Sequence, residues 1–133
     1  MKTIFNKIAA ILAFTIGGMA VFAGIKVLLG NDPGYYVINW LPIYNYTAGI
    51  LSVFISAILI WTNHKLATWV AFVTLIVHSL VMVILQTSYR SVVAPDSIMA
   101  MTIRISVWII ILGLIWVQTR KNNVEKKTTN STL

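Results

Sequence analysis

The sequence predicts an all-α integral membrane protein: a four-helix bundle with antiparallel, up-down topology and both termini in the cytoplasm. Two observations predict this class. Of the 133 residues, 59% are hydrophobic and only 10% are charged, whereas soluble domains carry about 25% charged residues. A soluble fold of this size cannot bury so much apolar surface. The apolar residues also fall into four stretches, each near the ~20 residues that a helix needs to cross a bilayer.

Residues 1–119 are predicted to form one transmembrane domain. Residues 120–133 are polar and are expected to form a flexible cytoplasmic tail. The four spans are predicted at about residues 8–29, 43–62, 66–86 and 97–117.

The connecting segments agree with these spans. Residues 30–34 (Gly-Asn-Asp-Pro-Gly) are a strong turn signal, and residues 63–65 are so few that the second and third spans must form a helical hairpin. Pro95, followed by Asp96, is typical of a helix start. Residues 35–42 are too apolar for a free loop, so they are expected to lie in the membrane interface or to cap the bundle.

Basic residues divide unevenly between the two ends of the predicted bundle. Two of them, Lys26 and Arg90, lie on one side beside Asp32 and Asp96. Cytoplasmic segments of membrane proteins are enriched in Lys and Arg, so the richer side is predicted to be cytoplasmic. The net charge of +7 is therefore interpreted as an orientation signal and not as a nucleic-acid-binding surface. Seven basic residues lie on the richer side: Lys2, Lys7, Lys65, Arg120, Lys121, Lys126 and Lys127.

The aromatic residues support the same orientation, because Trp and Tyr favour the two membrane–water interfaces. Trp61, Trp69 and Trp116 fall at the predicted inner interface, and Trp40 at the outer one. The tyrosines are all predicted at the outer interface: Tyr35, Tyr36, Tyr44, Tyr46 and Tyr89.

One alternative concerns the first span. Lys2 and Lys7, followed by an apolar core and the small-residue pattern of residues 21–23, also resemble a cleavable signal peptide. The apolar core is longer than the usual core of about 7–15 residues, which favours a retained span. The other three spans keep their orientation in either case.

Small residues recur on one face of the first two predicted spans. In the second span, Gly49, Ser52 and Ser56 have helical spacing. Small residues allow close backbone approach in lipid, where no hydrophobic force drives helices together. The two stripes are expected to face each other, and helix packing is favoured over a ligand groove. The stripe of the first span consists of Ala9, Ala13, Gly17, Ala20 and Gly24.

Arg104 is the most informative polar residue, about 10 Å below the outer end of the fourth span. An arginine inside hydrocarbon costs at least about 2.5 kcal/mol on insertion scales, so it should find water or a polar partner. In one interpretation it snorkels to the outer headgroups. In the other it lines an outward-facing pocket and binds a carboxylate, phosphate or carbonyl oxygen.

His78 lies about 13 Å below the outer end of the third span, near the depth of Arg104. A neutral imidazole donates one hydrogen bond and accepts another. A bond to a neighbouring helix is favoured over ligand contact. Other polar or aromatic side chains share the outer half, so a small-molecule site is predicted there. The candidate ligand-binding residues are Arg104, His78, Ser52, Gln86, Trp108 and Tyr89.

The sequence supports no catalytic or metal chemistry. The absence of Cys excludes disulfides and thiolate sites, and no Asp or Glu falls within a span to form a proton relay. His64 and His78 fall at different depths, and no cluster has the spacing of zinc ligands. No catalytic residue is assigned, no metal is expected, and a non-enzymatic role is favoured.

Two short motifs resemble a known family. Residues 24–30 (Gly-Ile-Lys-Val-Leu-Leu-Gly) close the first span with a glycine and then a lysine, and Ala48-Gly49 lies early in the second. Together with the four-span layout, they resemble the DoxX-like group of small bacterial membrane proteins. Some members of that group are subunits of quinone-linked oxidoreductases. The resemblance implies an accessory membrane subunit, with quinone as a possible cofactor, and assigns no catalytic residue.

Three functional hypotheses follow. The leading one is a bacterial inner-membrane accessory or assembly subunit whose partner is another membrane protein or a second copy of the chain. The second is an outward-facing binding or transport protein with a site around Arg104 and His78. The third, implied by the resemblance alone, is a membrane subunit of a quinone-linked oxidoreductase.

Overall fold

The computed structural model describes residues 3–133, so Lys2 and its predicted cytoplasmic position lie outside the described residues. Within this range the chain is helical and contains no strand. Four helices are long and apolar enough to cross a membrane, which confirms the predicted all-α class and fits a multi-pass membrane protein. The elements are α1 (Ile4–Leu28), α2 (Leu41–Leu51), a π-helical segment (Ser52–Ser56), α3 (Ala57–Trp61), α4 (Ala67–Thr87) and α5 (Pro95–Ser131).

The second membrane-length helix, Leu41–Trp61, is composite. It comprises α2, the π-helical segment and α3, which follow one another without a break. In the π-helical segment the backbone N–H of Ala57 donates to the carbonyl of Ser52, five residues earlier. We call the whole of Leu41–Trp61 the second span.

Contacts between helix termini define the two ends of the bundle. At the proximal end, the start of α1 meets the link between α3 and α4, because Nδ2 of Asn6 donates to Oδ1 of Asn63 at 2.6 Å. The backbone N–H of Phe5 donates to Oε1 of Gln118 at 3.1 Å, which brings α5 to the same place. The distal end holds the loop between α1 and α2 and the loop between α4 and α5.

The α1 helix and the second span pack with their backbones almost in contact. A Cβ atom on Gly49 would lie 2.6 Å from the carbonyl oxygen of Gly17, and one on Gly24 would lie 2.7 Å from that of Pro42. Only glycine fits at these positions. The prediction that the two small-residue stripes face each other is confirmed. Every residue of the predicted stripe in α1 is buried: Ala9, Ala13, Gly17, Ala20 and Gly24.

The apolar core has a proximal and a distal part. In the proximal part, Trp108, Ile60 and Ile111 are fully buried against alanines of α1 and α4. Most other large apolar side chains are exposed on the outside of the bundle, as expected for helices that face lipid. The distal part is smaller and consists of Ile38, Leu41, Val81, Leu85 and Met101.

The loop between α1 and α2 folds over the distal end. It turns at Gly30 and Gly34, both with positive φ, and the N–H of Gly34 donates to the Asp32 carboxylate at 2.8 Å. Further along, Ile38 is buried in the distal core. The loop therefore packs on the distal end of the bundle through Ile38, and its position in the membrane interface stays a prediction.

The last helix extends beyond the predicted span. It begins at Pro95, as expected from the helix-start signal, and continues to Ser131. No Gly or Pro follows Gly113 to interrupt it, and the hydroxyls of Thr128 and Thr129 bond to carbonyls one turn earlier. The polar segment 120–133 is therefore almost entirely helical, and its flexibility stays a prediction.

Candidate functional site

Arg104 lies in the distal half of α5, about 13 Å from Pro95 at 1.5 Å per residue. Its side chain is only 7% exposed. The guanidinium donates from Nη1 to Oδ1 of Asn45, on α2, at 2.6 Å. This burial does not fit the snorkelling interpretation, which requires an exposed guanidinium. Arg104 instead joins α5 to the second span.

The charge of Arg104 has no acidic partner. The acidic residues of the sequence are Asp32, Asp96 and Glu125, and no carboxylate among residues 3–133 forms an ion pair with the guanidinium. A guanidinium has five N–H donors, and the bond to Asn45 uses one of them. The other donors have no hydrogen-bond partner in the described chain.

A cavity of about 60 Å³ lies beside Arg104, between α1, α2, α5 and the distal loop. Because a water molecule occupies about 30 Å³, the cavity has room for about two waters or one small ion. Tyr35, Asn45 and Ser97 contribute polar groups to its wall. The remaining wall residues are Ala23, Val27, Val37, Leu41, Pro42, Ala100 and Met101.

His78 occupies a different environment, deep between α2, α4 and α5. It is 3% exposed, and its Nδ1 shares a hydrogen bond with the Tyr44 hydroxyl. The Tyr44 ring meets the His78 ring edge-on, with 5.8 Å between centroids, and Trp108 lies on another side at 6.4 Å. His78 does not line the cavity beside Arg104. Arg104 and His78 lie within electrostatic range of each other, and their hydrogen-bond partners, Asn45 and Tyr44, are consecutive residues of α2.

The other predicted site residues differ in their surroundings. The indole N–H of Trp40 donates to the Tyr89 hydroxyl at 3.1 Å, at the distal end. The Ser52 hydroxyl donates to the carbonyl of Ala48 in its own helix, and Gln86 is exposed on α4. The structure therefore brings His78 and Trp108 together and connects Tyr89 to them through the rings of Trp40 and Tyr44. Arg104 lies within electrostatic range of His78 but lines its own cavity. Ser52 and Gln86 contact neither residue through a hydrogen bond.

The sequence did not predict the roles of Asn45 and Tyr44, which form the hydrogen bonds to Arg104 and His78. Asn45 received no role, although an amide inside an apolar span is itself a signal of interhelical hydrogen bonding. Tyr44 was assigned to the interfacial tyrosines. It is half-buried, and its hydroxyl shares a hydrogen bond with His78 inside the bundle. Tyr35, also assigned to the interface, lines the cavity beside Arg104.

Comparisons with known proteins give no relative: no family model matches the sequence, and neither a curated protein nor a solved structure matches the chain. The resemblance to the DoxX-like group stays a prediction. The candidate site is therefore interpreted from its own chemistry.

Proposed function

We propose that this chain is a multi-pass protein of the bacterial inner membrane that serves as a non-enzymatic accessory or assembly subunit for a membrane-protein partner. The observation that carries the proposal is a groove on the outside of the bundle, between the second span and α4. In a bilayer such a groove faces lipid or another transmembrane helix.

The groove has a volume of about 310 Å³. It forms because α4 packs mainly along α5 and only slightly against the second span. Exposed large side chains such as Trp69 and Val73 border it. Its other lining residues are Leu51, Ile55, Ser56, Leu66, Val70 and Thr74.

Ser56 gives the groove a polar feature. The residue is 2% exposed, and its hydroxyl has no hydrogen-bond partner among residues 3–133. Thr74, by contrast, donates to the carbonyl of Val70. An unpaired polar group beside hydrocarbon is unfavourable, and a partner helix that supplies an acceptor would satisfy it. Ser56 also ends the π-helical segment, a conformation found frequently at functional sites.

The distribution of charge supports the proposed orientation. Lys26 and Arg90 are the basic residues near the distal end. Under the rule that cytoplasmic segments are rich in Lys and Arg, the proximal end is cytoplasmic. The helices then cross the bilayer in alternate directions, and both termini are inside. The proximal end and the extension of α5 carry Lys7, Lys65, Arg120, Lys121, Lys126 and Lys127.

The chain contains no cysteine, so single cysteines can test the partner role cleanly. Val73→Cys places a thiol at the groove, and Ile109→Cys places one on α5 away from it, at a similarly exposed position. Each variant is labelled in native membranes with a benzophenone maleimide and irradiated. We expect a discrete protein adduct from Val73→Cys and at least tenfold less from Ile109→Cys.

The mass of the adduct identifies the partner, and an adduct of twice the chain mass indicates a second copy. Lipid adducts alone at both positions, or equal protein adducts at both, would contradict the proposed role of the groove.

A further inference from the structure

We infer that the cavity beside Arg104 binds one small monovalent inorganic anion, of halide size. This inference goes beyond the accessory role and does not depend on it. It rests on three features: an unpaired buried charge, a wall that offers hydrogen-bond donors, and an adjoining opening at the distal end.

The first feature is the unpaired charge. The Arg104 side chain is 93% buried, since 7% is exposed, and its guanidinium is bonded to the neutral amide of Asn45. Buried charges in proteins are normally paired, because an isolated one loses its hydration without compensation. Inside a membrane span the need for a partner is greater. An anion in the adjacent cavity would supply both the opposite charge and acceptors for the remaining N–H groups.

The second feature is the chemistry of the wall. The oxygen of the Asn45 amide accepts from Arg104, which leaves its NH₂ group as a donor. The hydroxyls of Tyr35 and Ser97 can rotate to donate as well. No carboxylate lines the cavity. Its polar side chains can thus all donate to an anion, and none offers the negative charge that a cation would need.

The third feature is an opening toward the distal surface. A second, wider pocket of about 420 Å³ shares Ala23, Val27 and Tyr35 with the cavity. Lys26 and Asp32 both line this outer pocket, so their charges offset each other there. Tyr35 stands between the two spaces. An anion from the distal side would enter through the outer pocket and pass Tyr35 to reach Arg104.

The size of the cavity limits the ligand. At about 60 Å³, it accommodates a monatomic anion with little additional water, given about 30 Å³ per water molecule. Drug-sized organic molecules require pockets of about 300 Å³ or more. Chloride and bromide are therefore the appropriate probes.

The test uses the full chain purified in detergent, with chloride titrated against gluconate at constant ionic strength. Two quantities are measured: the Tm, and the ³⁵Cl NMR line width, which broadens when chloride exchanges with a protein site. We expect a saturable rise in Tm, because a ligand that binds only the folded state stabilises it by mass action. We also expect excess line broadening that bromide removes by competition.

Three variants test whether the chloride effects on the Tm and the line width arise at the cavity beside Arg104. Arg104→Gln should abolish both signals, whereas Arg90→Gln, which neutralises an exposed arginine outside the cavity, should retain them. Asn45→Asp places a carboxylate at the 2.6 Å contact and should replace the anion. Its Tm without chloride should reach the chloride-saturated Tm of the unmodified chain, and chloride should raise it no further. If Arg104→Gln fails to fold, Asn45→Asp still decides the question.

Three results would overturn the inference. The first is an unmodified chain with no saturable chloride effect. The second is an Asn45→Asp variant that responds to chloride as strongly as Arg90→Gln. The third concerns a lipid phosphate as the source of the anion. If phosphatidylglycerol added without chloride restores the Tm, the ligand is a lipid headgroup and not a free ion.

Discussion

Two contact regions hold the second span in place, and they use different interactions. Along α1, contact depends on the absence of side chains, since a Cβ atom on Gly49 would lie 2.6 Å from the Gly17 carbonyl oxygen. Toward α4 and α5, contact depends on polar side chains, in the pairs Arg104–Asn45 and Tyr44–His78. One face of the second span consists of small residues and packs closely on α1. The other face forms side-chain hydrogen bonds to α4 and α5.

The two contact regions show two ways in which helices can associate within a membrane. Lipid is as apolar as the side chains, so the hydrophobic effect does not draw transmembrane helices together. Close backbone packing gains many dispersion contacts, each small, over a long surface. Interhelical hydrogen bonds contribute about 0.6 kcal/mol each on average and at most about 1.7 kcal/mol. We therefore expect the α1 contact to supply more stability and the polar contacts to fix helix rotation and to form the cavity.

The largest effect is expected from filling the α1 contact. Gly49→Ala would place a methyl group 2.6 Å from the carbonyl oxygen of Gly17 and 2.7 Å from the backbone nitrogen of Val21. Backbone cannot move aside as a flexible side chain can, so the helices must separate. We expect a loss of about 3 kcal/mol of unfolding free energy, at the upper end of overpacking costs, measured by SDS titration in mixed micelles.

Gly113→Ala is the matched control, because nothing lies within 4 Å of a Cβ atom at that position of α5. It should be neutral or slightly stabilising, as alanine favours helix. Equal unfolding free energies of the Gly49→Ala and Gly113→Ala variants would show that close packing on α1 is not the main source of stability.

A smaller effect is expected at the Tyr44–His78 pair. Tyr44→Phe and His78→Phe each remove their shared hydrogen bond. A double-mutant cycle should give a coupling of about 0.6 to 1.7 kcal/mol, the range of interhelical hydrogen bonds in membranes. The control is Tyr46→Phe with His78→Phe, because Tyr46 is exposed and does not contact His78. An equally large coupling energy in the control cycle would argue against a specific interaction between Tyr44 and His78.

The smallest effect is expected at Gln86, a predicted site residue that the structure leaves exposed on α4. Gln86→Ala should change the unfolding free energy by less than about 0.5 kcal/mol, as is usual for surface positions. It should also leave the chloride dependence of the Tm unchanged. If Gln86→Ala removed the chloride dependence of the Tm, Gln86 would belong to the anion site. That result would contradict the proposal that the anion binds in the cavity beside Arg104.

The same comparison explains which features could be predicted from sequence. The α1 contact was predictable because Gly17, Gly49 and their neighbours recur at helical spacing, and small residues in a span have few other uses. The start of α5 was predictable from Pro95. The continuation of α5 to Ser131 was not predicted, because polarity marks the end of a membrane span and does not mark the end of a helix.

The polar pairs were harder to predict. Depth along each span was sufficient to bring Arg104 and His78 to similar levels, but pairing depends on how each helix is rotated about its axis. Spans that are apolar on every side carry little amphipathic pattern from which that rotation can be inferred. The interhelical roles of Asn45 and Tyr44 could therefore not be predicted, since Asn45 carried no predicted role and Tyr44 was expected at the membrane interface. The structure gives Arg104 and His78 different hydrogen-bond partners, on consecutive residues of α2.

The proposed membrane topology is tested by measuring which side of the membrane each end of the bundle faces. In the cysteine-free chain, single exposed cysteines are introduced at Asn31 and Ser91 in the distal loops, and at Lys65 and Ser131 near the proximal end. Intact cells are treated with a membrane-impermeant maleimide before and after permeabilisation. We expect labelling of Asn31→Cys and Ser91→Cys from outside, and of Lys65→Cys and Ser131→Cys only after permeabilisation. Labelling of a proximal and a distal site from the same side would contradict four crossings with both termini in the cytoplasm.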